Sequence, residues 1–144
     1  MTDFPEFLYK LTPRDEQVTP LDIVQVSGTA SGNQVTLKGT VYTVPKGKIL
    51  MLNTFCLEAD AGAAQTITYM AGYATIGNNQ LEFCIQDGTG IAAGGSMYRT
   101  FYPKQMFGED TVISCYGVYS GLANSNDIFA TLHGILIPRG NFAI

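Results

Sequence analysis

The amino-acid sequence predicts an all-β protein, an eight-stranded sandwich of jelly-roll type that follows an extended amino-terminal arm. From residue 21 onward, short runs of β-branched and aromatic residues are separated by glycine, asparagine and aspartate, which is typical of strands and turns. No apolar pattern of helical period continues over ten residues. Of the 144 residues, 46% are hydrophobic, which is enough apolar side chain for the core of one domain.

Residues 1–20 form the predicted arm and contain three of the six prolines. Asp3 and Glu6 have the spacing of a helix capping box, with Pro5 between them, so a short helical turn can begin the arm. Such an arm has little of its own against which to bury large apolar side chains. We therefore predict that the arm binds a neighbouring surface, on its own domain or on another subunit. Its large apolar residues are Phe4, Phe7, Leu8 and Leu11.

The predicted sandwich covers residues 21–138 and is followed by a short tail, residues 139–144. Its eight strands are predicted at residues 23–26, 34–44, 49–58, 66–74, 80–86, 96–102, 111–119 and 129–138. The run at 49–58 is apolar on both faces, which predicts a central strand in a sheet covered by a second sheet and by an arm or subunit. Gly39 predicts a bulge or a close backbone approach. An immunoglobulin-like sandwich is the nearest alternative, but it would normally contain a buried tryptophan, and this chain has none.

Charge is scarce, because Asp, Glu, Lys and Arg make up 14% of the chain where about 25% is usual. The net charge is −4 and no basic block occurs, which excludes a nucleic acid as partner. We expect no membrane association, since no apolar run approaches 18 residues and the first residues do not resemble a secretory signal. The three cysteines are odd in number and lack C-x-x-C spacing, which predicts reduced, buried thiols in a protein made in the cytosol.

We expect neither enzymatic activity nor a cofactor. His133 is the single histidine and cannot build a multi-histidine metal centre; it is predicted to be hydrogen-bonded in a sheet or interface, with a pH-sensitive contact as the alternative. The glycines of residues 88–94 lack the lysine and the helix of a phosphate-binding loop. Glu109 and Asp110 are adjacent and point to opposite sides of an extended chain, so they cannot easily form an acid and base pair. A calcium ion bound by loop carboxylates stays an alternative.

Aromatic side chains are the positive signal in the sequence. Tyrosine is favoured where an apolar ring is buried and a polar tip stays wet, as in protein interfaces and sugar-binding surfaces. Ordinary sandwich packing explains most of these residues, which cluster in three strands: Tyr69, Tyr73, Tyr98, Phe101, Tyr102, Tyr116 and Tyr119. We predict a partner interface that combines Tyr98, Tyr102 and Phe142 with the apolar residues of the arm.

Three segments carry a resemblance to a known family: V-P-K-G-K-I-L at residues 44–50, G-E-D-T-V at 108–112 and G-I-L-I-P at 134–138. Together they resemble the small jelly-roll proteins of tailed bacteriophages, notably capsid decoration or cement proteins. The resemblance covers residues 35–138 and leaves the arm uncovered. It implies a non-enzymatic protein, a homodimer or homotrimer, that clamps neighbouring subunits of the major capsid protein.

The expected function is therefore structural, at the capsid surface of a virion, after synthesis in the host cytoplasm. Scarce charge supports this expectation, because interface cores are depleted of charged residues. One alternative is a tail or head-fibre module that binds host-surface carbohydrate through loops such as residues 121–127. Another is a minimal jelly-roll enzyme, which would need a metal or an acid and base pair that the sequence does not reveal.

Overall fold

The computed structural model describes residues 19–30, 35–121 and 126–142, and in these ranges the chain is almost entirely β-structure. A single turn of 3₁₀ helix, Arg139–Phe142, follows the last strand. Nine strands occur in the described ranges. They are β1 (Thr19–Ala30), β2 (Val35–Thr43), β3 (Lys48–Asp60), β4 (Gln65–Ile76), β5 (Asn79–Asp87), β6 (Ser96–Phe101), β7 (Gln105–Phe107), β8 (Val112–Gly121) and β9 (Asn126–Pro138).

The strands form two antiparallel sheets. Sheet A has the order β1-β9-β3-β6, with β7 also paired to β3, and sheet B has the order β2-β8-β4-β5. Strands adjacent in the chain mostly lie in opposite sheets, so the connections cross repeatedly between the two layers. Two four-stranded layers connected in this way form a jelly roll. The predicted fold class is confirmed, and all eight predicted strands are present.

The additional strand, β7, is half of an interrupted edge. Both β6 and β7 pair with β3 on the side away from β9, so together they occupy one position in sheet A. Pro103 between them has no amide hydrogen for a ladder, and Lys104 has a φ of 51°. The chain therefore leaves the sheet for three residues and returns. A strand of three residues has too short a pattern to be predicted from the sequence.

Two further boundaries differ from the sequence prediction. β1 begins at Thr19 and continues to Ala30, because Gly28 and its neighbours in the expected loop still pair with β9. In β2, the register shift lies between Thr40 and Tyr42, while Gly39 pairs regularly with Cys115. Small residues thus continue these strands where sequence reasoning placed a loop or a bulge.

The hydrophobic core lies between the two sheets. β3 lies between β9 and the broken β6–β7 edge, which confirms its predicted central position. Its outward-facing Met51 is only 1% exposed, so the outer face of sheet A is covered at that point. The cover at Met51 comes from the chain itself, and that the arm or another subunit covers the outer face more widely stays a prediction. The largest core residues are Leu50, Leu52, Phe55 and Leu57 of β3, Met70 of β4, Ile113 and Tyr119 of β8, and Ile128 and Leu132 of β9.

Buried polar groups fix one end of the sandwich. The side-chain amide of Asn126 donates to the Gln65 side chain, and its oxygen accepts from the Gly62 amide at 2.8 Å. The Tyr119 hydroxyl donates to the Asp127 carbonyl at 2.6 Å. Among the side chains that the structure describes, in residues 38–121 and 126–140, every buried nitrogen or oxygen has a hydrogen-bond partner. Because an unsatisfied buried group is costly, this network specifies how β4, β8 and β9 meet.

Candidate functional site

Two of the seven residues predicted for the partner interface have described side chains, and both are exposed. Tyr98 in β6 is 64% exposed, and Tyr102, directly after that strand, is 66% exposed. The four arm residues lie outside the described ranges. The side chain of Phe142 is likewise not among those described. All seven interface assignments stay predictions, because exposure alone does not show a partner.

One edge of the sandwich carries several exposed apolar side chains. β5 is the free edge of sheet B, and β6 with β7 forms an edge of sheet A. Among the side chains described, in residues 38–121 and 126–140, six large apolar ones are 41–66% exposed, and they lie at or beside these strands. We name this set the apolar edge: Ile76, Leu81, Ile85, Tyr98, Tyr102 and Met106.

Packing beneath the apolar edge holds the two sheet edges together. The Phe83 ring of β5 lies 5.1 Å from that of Phe55 and 5.6 Å from that of Phe107, measured between centroids. Arg99 of β6 donates to the side chain of Gln86 in β5 and lies over the Phe101 ring. Because both sheets are joined here, the exposed side chains stand on a well-packed base. Of these six residues, the sequence predicted only Tyr98 and Tyr102 as interface residues. The alternation of apolar and polar residues along an edge strand does not show which side chains are exposed.

A groove opens on the outer face of sheet A. Across β6, β3 and β9, Tyr98 is paired with Glu58, and Glu58 with Phe129. A carboxylate therefore stands between two aromatic residues. We name this cavity of about 390 Å³ the sheet A groove; it is lined by Cys56, Leu57, Glu58, Asp60, Tyr98, Phe129 and Thr131.

The sheet A groove is electronegative. Asp60 is paired with Asp127 in the row next to Glu58, and none of the described residues that line the groove is Lys, Arg or His. Burial raises the pKa of Tyr119 in the adjoining core, and the carboxylates of Asp60 and Asp127 raise it further. Sequence reasoning missed this site because its residues lie far apart in the chain and meet only through strand pairing.

Three of the predicted tyrosines meet on the outer face of sheet B. The Tyr116 ring makes edge-to-face contacts with Tyr69 and Tyr73, at centroid distances of 5.6 and 5.4 Å. Its hydroxyl donates to the Glu82 carboxylate. Burial, followed by the bonds to Glu82 and Tyr69, raises the pKa of Tyr116. These three tyrosines form a hydroxyl-bearing aromatic cluster on the outside of the sandwich.

A second groove, of about 300 Å³, lies beside this cluster. The Asp87 carboxylate at its border accepts hydrogen bonds from the Thr89 hydroxyl at 2.8 Å and the Thr89 amide at 2.9 Å. These bonds lower the pKa of Asp87. The sheet B groove is lined by Thr68, Tyr69, Ile85 and Asp87.

The three segments that carry the family resemblance meet at one turn junction. The Glu109 carboxylate accepts from the Gly47 amide at 2.8 Å and pairs with Arg139 at 2.7 Å. The Arg139 amide in turn donates to the Gly47 carbonyl at 2.8 Å. The Asp110 amide donates to the Val44 carbonyl at 2.8 Å. These contacts give the three segments a structural role, and Glu109 is committed to the turn.

The remaining candidate groups are dispersed. His133 lies half-buried in β9, paired in register with Thr54. The three cysteines are not bonded to one another, and burial raises the pKa of Cys84 and of Cys115 to about 12. In the described ranges, no three His, Cys, Asp or Glu side chains lie close enough to share a metal ion. None of the helical structure described there is long and apolar enough to cross a membrane.

Comparison with known proteins finds similar solved structures but no matching family. No family model matches the chain, and no curated protein matches it. A chain in the structure of infectious bursal disease virus Gt strain is similar to this one at 12% sequence identity and a TM-score of 0.43. The similarity covers 91% of this chain and 37% of the viral chain. For a chain of the infectious bursal disease virus VP2 subviral particle, the similarity covers 87% of this chain and 33% of the viral chain, at 15% sequence identity and a TM-score of 0.34. For a lipoprotein of Bacteroides thetaiotaomicron, the similarity covers 85% of this chain and 89% of the lipoprotein chain, at 8% sequence identity and a TM-score of 0.47.

This chain thus spans about 37% of the length of the viral chain from the Gt strain. Solved viral structures are among those to which this chain is similar. All three TM-scores are below 0.5, so the fold assignment rests on the strand order and register described above.

Proposed function

We propose that this protein is a structural component of a virus particle, which decorates the outside of a phage capsid and has no enzymatic activity. In this role it clamps neighbouring subunits of the major capsid protein and associates with itself as a dimer or trimer. The observation that carries the proposal is the apolar edge, where six large apolar side chains are exposed along one side of the sandwich. Exposed apolar surface of this kind is typical of a protein interface.

The energetics of such an interface favour assembly. The six side chains of the apolar edge are 41–66% exposed, so burying what remains exposed of each one contributes only about 1 kcal/mol. β5 has neither proline nor lysine, two residues that commonly block edge-to-edge association. A protein that binds only the assembled shell stabilises the shell by mass action. The arm and the tail then reach towards neighbouring subunits.

Add-back to particles tests the proposal. Purified protein is mixed with phage particles assembled without it, and the bound copies per particle are counted by quantitative gel analysis. Replacing Leu81 and Ile85 together with aspartate should lower occupancy at least about tenfold, because two charges would have to be buried. Thr40→Asp, an exposed change on the opposite edge of sheet B, is the matched control. Unchanged occupancy of the double variant would contradict the proposal.

The aromatic cluster supports a second candidate, a tail or head-fibre module that binds host-surface carbohydrate. Tyr69, the Thr68 hydroxyl and the Asp87 carboxylate border one groove and supply the ring and oxygen groups that sugars contact. A glycan array with the purified protein tests this candidate. Binding that is lost in Tyr69→Ala and Asp87→Asn would favour it, and no binding to any glycan would count against it.

A further inference from the structure

The sheet A groove combines charge and aromatic surface in one row. Glu58 in β3 is directly paired with Tyr98 of β6 and with Phe129 of β9. Side chains paired in this way stand about 5 Å apart on the same face of a sheet. The carboxylate is therefore flanked by aromatic groups on both sides, at the base of a cavity of about 390 Å³. This volume has room for a side chain of a partner.

The charge of the groove is not neutralised by the basic residue nearest in sequence. Arg99 follows Tyr98 in β6, and alternation directs it to the other face of sheet A. There it donates to Gln86 and lies over the Phe101 ring, 5.4 Å from the ring centroid. Glu58 and Asp60 thus line a groove that contains no described basic side chain.

From this arrangement we infer that the sheet A groove binds an arginine or lysine side chain of the partner protein on which the molecule docks. The inference rests on the proposed function and names the chemistry of the partner at one point of the interface. A cation gains a charge-assisted hydrogen bond from Glu58 and cation–π contact from Tyr98 and Phe129. An arginine fits best, because its planar guanidinium can stack on a ring while it bonds a carboxylate.

Other occupants match the charge and the aromatic rings of the groove less well than a basic side chain does. A sugar could stack on the rings and bond to a carboxylate, but it would leave the negative charge of Glu58 and Asp60 uncompensated. A metal ion would need a compact set of ligands, and the described residues supply no three suitable side chains. Tyr98 is 64% exposed, so its ring is accessible to a partner, and tyrosine and arginine are enriched among the residues that dominate binding energy.

A titration of the full chain tests the cation preference. N-acetylarginine amide is added to ¹⁵N-labelled protein, with N-acetylcitrulline amide as the neutral probe of the same shape. We expect saturable NMR shifts along β3, β6 and β9, with affinity for the citrulline probe roughly fivefold lower. Glu58→Gln should lower the affinity for the arginine probe by a similar factor. Glu82→Gln, which changes a carboxylate beside a tyrosine on sheet B, should leave that affinity unchanged.

Equal affinity for the two probes, or equal weakening in Glu58→Gln and Glu82→Gln, would overturn the inference. The add-back assay separates this inference from the proposed function. Lower occupancy of Glu58→Lys than of Thr40→Lys, an exposed change on the opposite edge of sheet B, supports the groove as a partner site on particles. If Glu58→Lys binds particles at full occupancy, the groove inference fails and the proposed function stands. If the wild-type protein binds no particle, the proposed function fails, whatever the probes show.

Discussion

Gly72 illustrates how single residues set the packing between the sheets. A Cβ atom at this position would lie 2.5 Å from Cε2 of Phe55 and 2.7 Å from Sγ of Cys84. The close approach coincides with a bulge, where β5 carries one residue more than β4. The neighbouring Phe83 packs on Phe55, so the aromatic core has no space for a methyl group here.

Gly72→Ala should therefore destabilise the protein by about 1–3 kcal/mol, because overpacking forces core side chains to move. Urea denaturation measures the change. Gly108→Ala is the matched control, since a Cβ there has no neighbour within 4 Å. Equal stability of the two variants would show that the core is looser than described.

The buried thiols predict a loss of stability in alkali. Burial raises the pKa of Cys84 and Cys115 from 9.0 to about 12, so the folded protein holds these protons more tightly than the unfolded chain. Their contribution is complete below pH 9 and declines as the pH rises towards 12, by roughly 1.4 kcal/mol per pH unit for each thiol. Denaturation across this range should show a shallower decline in the Cys84→Ala, Cys115→Ala double variant. An unchanged slope would mean that the thiols are not the cause.

Among the structural elements, the turn junction joins three distant segments. Glu109 contacts both the turn at Gly47 and Arg139, the first residue after β9, so it links the connection β2–β3 to the carboxy-terminal turn. Lys46 and Asp110 also pair, at 3.2 Å, but both side chains are largely exposed. Exposed pairs contribute little because water screens them. The junction thus depends chiefly on Glu109.

Glu109→Ala should lower the free energy of unfolding by about 1–2 kcal/mol, since the Gly47 amide and Arg139 lose their shared acceptor. Lys46→Ala should change it by no more than about 0.5 kcal/mol. Thermal unfolding monitored by circular dichroism compares the two variants. A larger effect of Lys46→Ala would reverse the assigned importance of these contacts.

The strands were predictable because their signals are local. Alternating apolar residues and flanking turns predicted the strand at 49–58, which the structure shows as Lys48–Asp60. The sheet A groove had no such signal, because Glu58 and Phe129 are distant in sequence and meet through the pairing of β3 with β9. The exposure of Leu81 was equally hidden, since it depends on β5 being an edge. Pairing between distant strands, which determines interaction surfaces, leaves little local trace.

For the whole molecule, scarce charge acquires a structural meaning. Only 14% of residues are charged, and the exposed surface includes the apolar edge and two aromatic-lined grooves. A monomer would carry this apolar surface at a cost in solubility. A component of a larger assembly buries it, as the proposed function requires.

Removal of the arm tests its predicted role in binding a neighbouring subunit. β1 begins at Thr19, so deletion of residues 1–18 leaves every described strand complete. The truncated protein should keep its β-sheet circular dichroism and a cooperative unfolding transition. Its occupancy on phage particles should fall strongly, because the apolar residues of the arm no longer reach a neighbouring subunit. A truncated protein that decorates particles at wild-type occupancy would refute the arm's role.

The central claim is that the sandwich docks on the outside of a viral shell, and a cryo-electron microscopy reconstruction of decorated particles tests it most directly. We predict density for the jelly roll on the outer capsid surface, with β5 and the β6–β7 edge facing a neighbouring subunit. Particles whose shell carries no such density after incubation with saturating protein would contradict the claim. So would a sandwich bound with Leu81, Ile85 and Tyr98 all facing solvent.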